Sequence, residues 1–339
     1  MWNARSLLGK LSEFKKYILS LNPHIVGVSE TWLNTKYDPK FQNYNVIRKD
    51  REGQKGGGLL ILIRRDIKYT ILTLSHHQQG HLEVLAVKIA TKEGWGNLLF
   101  CYNPAQNLQK AEFEYYFNQI PSPKLIFGDF NARHQLWNPA LNRASINISG
   151  KSLFEASINL SASLITPPDL PTRINPYTGR TSTLDIGFGS GIFEFPSSVT
   201  TGPNLGSDHL PVIIDYNNTH LITISKRIHW NFKKGNWLDY KQDVAQLNEN
   251  EIDKMNIKDK RQEIILHMKN AGEKHFYLGK GKICLPKSKP WWNDECSRAV
   301  ALKRRAHNKW RRRPERIFQI EFRRLEARAK KIILKTKIY

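Results

Sequence analysis

The sequence predicts an α/β sandwich, and two observations indicate it. Short apolar runs separated by glycine, proline and asparagine fill the first two thirds of the chain, as is typical of strands and loops. From about Lys241 onward the apolar residues follow helical spacing instead. Many strands with few intervening helices favour a sandwich over a barrel of eight repeats. We therefore predict fold class α/β, with a helical extension at the C-terminal end.

The elements of the first segment follow in order. An early helix is predicted where apolar residues recur on one face, and Asn22-Pro23 ends it: Leu11, Phe14, Ile18 and Leu21. The glycines at 56–58 predict a turn into a strand, because the Lys-Ser/Thr pair of a phosphate-binding loop does not follow them. Strands are predicted at residues 25–28, 59–63, 84–89, 98–102, 125–127, 184–188 and 212–214.

Composition narrows the classes of function. The 339 residues include 53 Lys and Arg against 30 Asp and Glu, a formal charge of +23. This excess indicates a polyanionic partner, with nucleic acid favoured over an anionic membrane. The three cysteines are far apart and form no CxxC motif, which argues against a zinc knuckle and favours a reducing compartment. The longest aliphatic run, residues 59–63, is far shorter than the roughly 20 residues of a membrane span. We expect an intracellular protein without a membrane partner.

The charge is distributed unevenly along the chain. Residues 1–217 hold 22 basic and 17 acidic side chains, whereas residues 286–339 hold 18 and 5. This shift predicts three segments: a first domain over 1–217, a linker with helical parts over 218–285, and a basic helical segment over 286–339.

The basic segment reads as two helices. Residues 290–292 (PWW) form an aromatic entry to the first helix, whose apolar face runs through Leu302, Ala306 and Trp310. Pro314 separates it from the second helix. A narrow apolar stripe then follows on a surface rich in Arg and Lys: Phe318, Phe322, Leu325, Ala329 and Ile332. The stripe is either one face of a solvated helix or a contact surface without its partner.

Polar side chains lie within or next to the predicted strands, and together they are typical of a metal-dependent site. They are Glu30, Asp129, Asn131, Asp185 and the adjacent pair Asp208-His209. Carboxylates in apolar surroundings are costly unless they are paired or bind a metal. Oxygen ligands without cysteine suit Mg²⁺, and a histidine oriented by a further aspartate can handle a proton.

Six ordered motifs resemble the endonuclease/exonuclease/phosphatase family. They are residues 2–6 (WNARS), 29–32 (SETW), 102–104 (YNP), 128–132 (GDFNA), 184–186 (LDI) and 207–212 (SDHLPV). The stretch 128–137 (GDFNARHQLW) is most similar to the apurinic-endonuclease-like domain of insect-type, jockey-like non-LTR retrotransposons. The resemblance covers about residues 2–216. It implies a DNase-I-like four-layer α/β/β/α sandwich that cuts DNA with Mg²⁺, or with Mn²⁺ in its place.

The resemblance also assigns a metal site. Glu30 matches the principal metal-binding glutamate, Asn3 matches the asparagine that supports this site, and Asp208 matches the neighbouring acid on the metal side. In-line attack on a phosphodiester needs a cation near the developing charge, which agrees with this assignment.

Five further residues match the catalytic positions of the family. Asp129 matches the acid that orients or deprotonates the attacking water, and Asn131 matches the amide that holds the phosphate. Asp185 matches the acid that steadies the catalytic histidine, His209. Tyr102 matches the tyrosine that contacts the phosphate or the leaving group. The division of acid and base roles among Asp129, His209 and Tyr102 stays open.

Candidate DNA contacts lie outside this set, and the expected partners are DNA and the RNA of the element. His134 and Trp137 follow the Asp129 motif, where they either contact DNA or pack the rim of the site. The other candidates are basic residues of a loop and of the C-terminal segment: Arg173, Arg180, Arg304, Arg305, Arg311 and Arg312. Oligomeric state and target sequence are not predicted.

Two departures from the family pattern shape the functional alternatives. Met1 directly precedes Trp2-Asn3, where relatives carry several apolar residues, so we expect a shortened first strand. The sequence stops at Tyr339, so we also expect the chain to be cut short before the reverse transcriptase. Ala105 replaces the asparagine of repair-type relatives. The sequence therefore favours a mobile-element endonuclease, which would act in the nucleus. A catalytically inactive, nucleic-acid-binding remnant is the alternative, and a phosphatase of inositol phosphates or lipids is disfavoured by the basic segment.

Overall fold

The computed structural model describes residues 1–78, 80–216, 232, 235–247, 252–253, 255–276 and 292–338. Contacts divide the chain into two compact units, one of residues 1–224 and 288–339 and one of residues 225–287. Of the predicted linker, residues 218–231, 233–234, 248–251, 254 and 277–285 lie outside the described residues, as do Pro290 and Trp291 of the predicted helix entry.

The described elements are numbered in chain order. The strands are β1 Trp2–Asn3, β2 Ile25–Ser29, β3 Tyr44–Lys49, β4 Leu59–Arg64, β5 Tyr69–Leu72, β6 Glu83–Thr91, β7 Gly94–Tyr102, β8 Lys124–Asp129, β9 Ser163–Leu164, β10 Arg173–Ile174, β11 Thr181–Ser182, β12 Asp185–Gly189, β13 Ser198–Thr201 and β14 Val212–Asp215. The helices are α1 Leu11–Leu21, α2 Lys110–Phe117, α3 Ile148–Ile158, α4 Trp237–Ala245, α5 Ile257–His275, α6 Asp294–Arg312 and α7 Arg316–Ile338.

Two sheets pack face to face. One has the strand order β1-β2-β4-β3 and the other β5-β6-β7-β8-β12-β9. β4 shows how the sequence specifies this packing. Leu59, Ile61 and Ile63 join the core between the sheets, with Phe100 and Phe127 of the other sheet. Because side chains alternate along a strand, the leucines at 60 and 62 face the opposite side, and a strand buried on both faces reads as one continuous apolar run.

Helices cover the outer face of each sheet. Phe14 and Ile18 of α1 pack in one core with residues of β2 and β4. Phe113 of α2 and Leu153 of α3 pack with Ile126 of β8 on the other side. These contacts form four layers in the order helix, sheet, sheet, helix, which confirms the predicted α/β/β/α sandwich. α1 ends as predicted, since Asn22 adopts a left-handed backbone with φ 49°.

The first strand is short, as expected. Trp2 and Asn3 pair in parallel with Val28 and Ser29 of β2. On the other side, the Met1 amine donates to the Val212 carbonyl at 2.7 Å, and the Val212 amide donates to the Met1 carbonyl at 2.8 Å. An apolar cavity of about 390 Å³ adjoins Met1. Burial lowers the pKa of the Met1 amine to about 6.

The basic C-terminal helices form a helical hairpin that packs within the first unit. α6 and α7 lie on either side of Pro314, as predicted. Trp310 and Phe322 form one core with Ile174 and Leu210. The expectation that the apolar stripe has no partner is therefore wrong for its first part, because Ile174 of β10 and Leu210, shortly before β14, share this core with Phe322. The helical hairpin thus belongs to the same compact unit as the sandwich. The charge distribution had predicted two separate segments.

The second unit consists of α4 and α5 in its described part. Trp237 and Tyr240 of α4 pack around Phe276, with ring centroids 4.9 Å apart in each pair. His275 of α5 contacts Asp243 of α4 at 2.9 Å. Throughout the described part of the chain, no helix has the length and apolar character needed to cross a membrane.

Candidate active site

Strand register brings the predicted site residues together at one end of the sandwich. Asp129 is the last residue of β8, and Asp185, the first of β12, lies directly opposite it in the antiparallel register. Tyr102 pairs with Asp129 from the parallel neighbour β7. In the other sheet, Asn3 of β1 pairs with Ser29, so that Glu30 follows at the same edge. Both sheets therefore contribute side chains to one cluster.

A histidine lies between the two opposed aspartates. His209 Nδ1 is 2.8 Å from Asp185 Oδ2, and its Nε2 is 3.7 Å from Asp129 Oδ2. All three side chains are almost fully buried. Burial opposes the charged form of His209, but Asp185 and Asp129 outweigh it and raise its pKa to about 9. Burial raises the pKa of Asp129 to about 7, although the charge of His209 opposes this shift. The imidazolium thus relieves repulsion between carboxylates that face each other across the strands.

A network of hydrogen bonds links Glu30 to the cluster of Asp129, His209 and Asp185. Asn3 Nδ2 donates to Glu30 Oε1 at 2.9 Å and to Asp129 Oδ2 at 2.8 Å. The Tyr102 hydroxyl donates to the same Glu30 oxygen at 2.8 Å. Burial, and then the charge of Glu30, raise the pKa of Tyr102, so its hydroxyl keeps its proton. One amide therefore ties together two carboxylates from different sheets.

The backbone around the site adopts uncommon conformations. Glu30 and Asn131 have φ of 49° and 45°, in the left-handed region where a side chain costs roughly 1–3 kcal/mol. Just before Asp129, a Cβ on Gly128 would lie 1.9 Å from the Cys101 carbonyl oxygen, so only glycine fits there. This close approach of β7 and β8 sets the position of Asp129 relative to Tyr102.

Asp208 lies at the edge of the cluster, between two arginines. Its Oδ2 accepts from Arg173 Nε at 3.0 Å and is 3.1 Å from Arg5 Nη1. Among the described residues, the buried Oδ1 has no hydrogen-bond partner. Burial disfavours ionisation of Asp208, but His209, Arg173 and Arg5 together outweigh it and lower the pKa. The predicted metal-side acid is thus held by cationic side chains in this structure.

Sequence reasoning missed three residues that hold the others in place. Asn103 accepts a bond from Asn131 Nδ2 at its carbonyl, at 2.8 Å. Thr172 Oγ1 accepts from the Asp185 amide at 3.1 Å. Arg5 pairs with Asp208. Asn103 and Arg5 lie inside quoted motifs and could have been found there, whereas none of the quoted motifs includes Thr172.

The predicted DNA contacts near Asp129 need one correction. Trp137 is fully buried, and its Nε1 donates to the Ala132 carbonyl at 3.0 Å. The prediction that it contacts DNA is wrong, because the indole ring belongs to the core. His134 is partly exposed and stacks on Phe154, with ring centroids 4.3 Å apart.

The arginines that were predicted to contact DNA differ in their exposure to solvent. Arg304 is half-buried, and its Nη2 donates to Glu13 Oε1 at 3.3 Å, beside a shorter contact of 2.7 Å from Lys303. Arg304 therefore anchors α6 to α1, which reduces its availability to DNA. The remaining predicted arginines lie at the surface, where Arg180, Arg305 and Arg312 are exposed and Arg173 and Arg311 are partly exposed.

The side chains of the cluster differ in how well they fit a divalent cation. Asp129, Asp185 and His209 offer ligand atoms within 4.8 Å of one another. The 2.8 Å contact between Asp185 and His209 leaves no room for an ion between those two atoms. The alternative lies beside it, where Glu30 is partly exposed and its Oε1 is tied to Asn3 and Tyr102. Oxygen donors of this kind fit a hard cation such as Mg²⁺.

The sequence of this chain is similar to those of several known proteins. Residues 97–213 match the family model described as endonuclease-reverse transcriptase. A probable RNA-directed DNA polymerase from transposon BS of Drosophila melanogaster is 27% identical over 236 residues, covering 65% of this chain and 24% of the relative. The RNA-directed DNA polymerase from mobile element jockey of Drosophila funebris is 26% identical over 237 residues, covering 67% and 24%. The chain spans about a quarter of the length of these curated relatives.

Solved structures share the fold. The endonuclease domain of TRAS1, a telomere-specific non-LTR retrotransposon, aligns with a TM-score of 0.50 at 17% identity, covering 66% of this chain and 96% of that domain. The AP endonuclease LMAP from Leishmania major aligns with a TM-score of 0.51 at 13% identity, covering 63% and 85%. Residues 97–213 thus match an endonuclease-reverse transcriptase family model, and the described sandwich has the fold of these solved endonuclease structures.

Proposed function

We propose that this protein is a divalent-metal-dependent endonuclease that nicks DNA by hydrolysing phosphodiester bonds. The observation that carries the proposal is the convergence of Glu30, Asp129, Asp185 and His209 at one end of the sandwich. Groups from six separate chain segments meet there through hydrogen bonds of 2.8–3.0 Å, as in Asn3 to Asp129 and His209 to Asp185. A structural core has no need of so many buried ionisable groups.

Asp129 is the proposed group that orients and deprotonates the attacking water. A base works best when its pKa lies near the working pH, and burial raises the pKa of Asp129 to about 7. Asn131 follows it in a left-handed conformation, and its amide nitrogen is held by the Asn103 carbonyl. This placement supports a role for Asn131 in holding the phosphate beside the base.

His209 is the proposed cationic partner of the phosphate. Its raised pKa, about 9, keeps the ring protonated at neutral pH, and Asp185 accepts from Nδ1. Nε2 is then left to donate toward the reacting oxygens or to Asp129. Tyr102 retains its proton and donates to Glu30, from where it can help the phosphate or the leaving oxygen. The acid and base roles of these three residues are proposals that kinetics must divide.

Glu30 and Asn3 are the residues that would hold the cation, with Asp208 at the edge of the cluster. A bound Mg²⁺ or Mn²⁺ would stabilise the negative charge that develops on the phosphate during the reaction. The protein residues orient the groups around it. Asn3 keeps the carboxylates of Glu30 and Asp129 in one orientation, and Arg5 and Arg173 hold Asp208 beside His209.

DNA is the proposed substrate, and the basic surface supports it. Residues 286–339 carry 18 basic and 5 acidic side chains, and the two helices of this segment, α6 and α7, pack within the same unit as the site. Phosphate contacts of this kind bind nucleic acid without reading its sequence, so RNA of the element is a proposed second ligand. An enzyme that cuts chromosomal DNA would act in the nucleus.

A single-turnover nicking assay on an end-labelled duplex tests the proposal. Glu30→Ala and His209→Ala should each lower the rate by about 10²–10⁴ in Mg²⁺, as expected for loss of a catalytic group. His76→Ala, which changes an exposed loop histidine, is the matched control. Rates close to wild type in either site variant would refute the assignment. An inert but folded parent protein would favour the inactive, nucleic-acid-binding alternative.

A further inference from the structure

The helical hairpin α6–α7 contacts the part of the sandwich that carries Arg173 and the segment before β14. Its core residues Trp310 and Phe322 stack with ring centroids 5.7 Å apart and an interplanar angle of 10°. They pack against Ile174 and Leu210, which are 2% and 1% exposed. These two residues directly follow Arg173 and His209 in the sequence. The hairpin thus lies beneath the backbone that presents both side chains.

Hydrogen bonds tie the same backbone segments to each other. The Ile174 amide donates to the Asp208 carbonyl at 2.8 Å, and the Leu210 amide donates to the Thr172 carbonyl at 2.7 Å. Arg173 Nε donates to Asp208 Oδ2 at 3.0 Å. A shift of β10 would therefore move Asp208, and with it the segment that holds His209.

The second helix of the hairpin also holds the turn that follows β10. Gln319 Nε2 donates to the carbonyls of Pro176 and Tyr177, the second at 3.2 Å. Arg323 Nη2 donates to the Pro176 carbonyl at 3.1 Å, and its guanidinium lies 5.8 Å from the centroid of the Tyr177 ring. At the other end of the turn, a Cβ on Gly179 would lie 2.6 Å from Pro314 Cβ. The turn is therefore fixed at both ends by the hairpin.

We propose that α6–α7 is a positioning element of the candidate active site, with Gln319 and Arg323 as positioning residues that act through the 175–179 turn and β10 on the Arg173–Asp208–His209 arrangement. The inference rests on the proposed endonuclease function. The proposal gives this basic segment a structural role in addition to its charge. Neither Gln319 nor Arg323 touches the site, so both act through the backbone that they hold. Bonds that cross from a helix to carbonyls of a loop serve to fix backbone, and small displacements of reacting groups lower rates steeply.

The test compares double variants of the full chain. Gln319→Met with Arg323→Met keeps length and helical propensity but removes the side-chain donors that these two residues of α7 offer to the turn. Gln319→Lys with Arg323→Lys keeps a donor at both positions. Arg324→Met, at an exposed neighbouring position, removes the same charge without changing the turn contacts and reports the electrostatic part of DNA affinity. Melting temperatures establish that each variant is folded.

Two readouts are measured on each variant. The first is the maximal single-turnover nicking rate. It is obtained by measuring the rate over a range of protein concentrations, so that a change in DNA affinity is not mistaken for a change in maximal rate. The second is hydrogen exchange at the Ile174 and Asn175 amides, which bond to Asp208 and Arg180. We expect the methionine pair to lower the maximal rate about 10-fold and to speed exchange at these amides. The lysine pair should restore both.

An unchanged maximal rate, or a fall that Arg324→Met reproduces, would overturn the proposal. So would a fall in rate without faster exchange at β10, because the helix would then act by another route. If the parent chain does not cut DNA at all, the endonuclease proposal fails by itself. Exchange then decides the positioning role: faster exchange in the methionine pair supports it, and unchanged exchange overturns it.

Discussion

Replacing Asp185 with asparagine tests how the histidine of the site is held. The substitution keeps the volume of the side chain and removes its charge. Asp185 Oδ2 lies 2.8 Å from His209 Nδ1, and the two residues are 1% and 3% exposed. Water cannot compensate for the lost negative charge at such a buried position. An asparagine can also turn its amide toward Nδ1, which would favour the opposite tautomer of the ring.

The size of the effect follows from this geometry. Asp185 is the main favourable charge that raises the pKa of His209 against burial, so the ring loses its proton more readily in the variant. Loss of a correctly protonated catalytic group lowers rates by about 10²–10⁴, or roughly 3–5 kcal/mol of barrier. Folding should suffer little, because the substitution also removes one of two carboxylates that face each other across the strands.

A double-mutant cycle with His209→Gln is the assay. Single-turnover nicking is measured for the parent, each single variant and the pair. If Asp185 acts only through His209, adding Asp185→Asn to His209→Gln should cost less than a factor of about 3. Losses that multiply in the double variant would refute this reasoning. They would indicate that Asp185 acts independently of the histidine, for instance as a ligand in the Asp129–Asp185–His209 group.

Three further predictions follow from other parts of the structure. Burial, followed by the charges of Arg311 and Lys303, lowers the pKa of His307 to about 4. Between pH 6.5 and 4 the unfolded chain therefore binds more protons, and stability should fall on acidification by up to about 3 kcal/mol at this residue. Denaturant unfolding of His307→Leu should show a weaker pH dependence, and an identical one would contradict the shift. Ala105 has φ 60°, so Ala105→Gly should raise the free energy of unfolding by about 1 kcal/mol, and a loss of stability would contradict this. Neutralising Arg311 together with exposed Arg305 and Arg312 should reduce the log–log salt slope of DNA binding by about 0.9 for each phosphate that these arginines bind, and an unchanged slope would place DNA elsewhere.

Local patterns in the sequence sufficed for most of the sandwich. The run at residues 59–63 forms β4, and five consecutive apolar residues are typical of a strand that is buried on both faces. Asn22 ended α1 because asparagine tolerates the left-handed backbone that follows a helix. α2 and α3 were not predicted, since their short apolar faces alternate with charged and small residues.

The candidate site was predicted from motifs, and its supporting contacts were not. Strand ends located Asp129 and Asp185, but only the register of β8 and β12 places them opposite each other. Trp137 was misassigned because its sequence position beside the Asp129 motif does not show that its ring belongs to the core, which it shares with distant residues such as Leu99 and Ile186. The packing of Phe322 against Ile174 and Leu210 was likewise not predicted, because these two residues lie more than 100 positions before it in the sequence. Contacts of this kind depend on tertiary structure, which local periodicity does not encode.

The most direct test of the central claim is nicking of supercoiled plasmid by the freshly purified full chain. We predict conversion to open circles in Mg²⁺ or Mn²⁺ and none in EDTA, because the oxygen donors around Glu30 suit a hard cation. Glu30→Gln, which keeps the size of the side chain, should abolish most of the Mg²⁺-dependent conversion. Conversion that persists in EDTA, that requires zinc, or that survives Glu30→Gln at the wild-type rate would contradict the account.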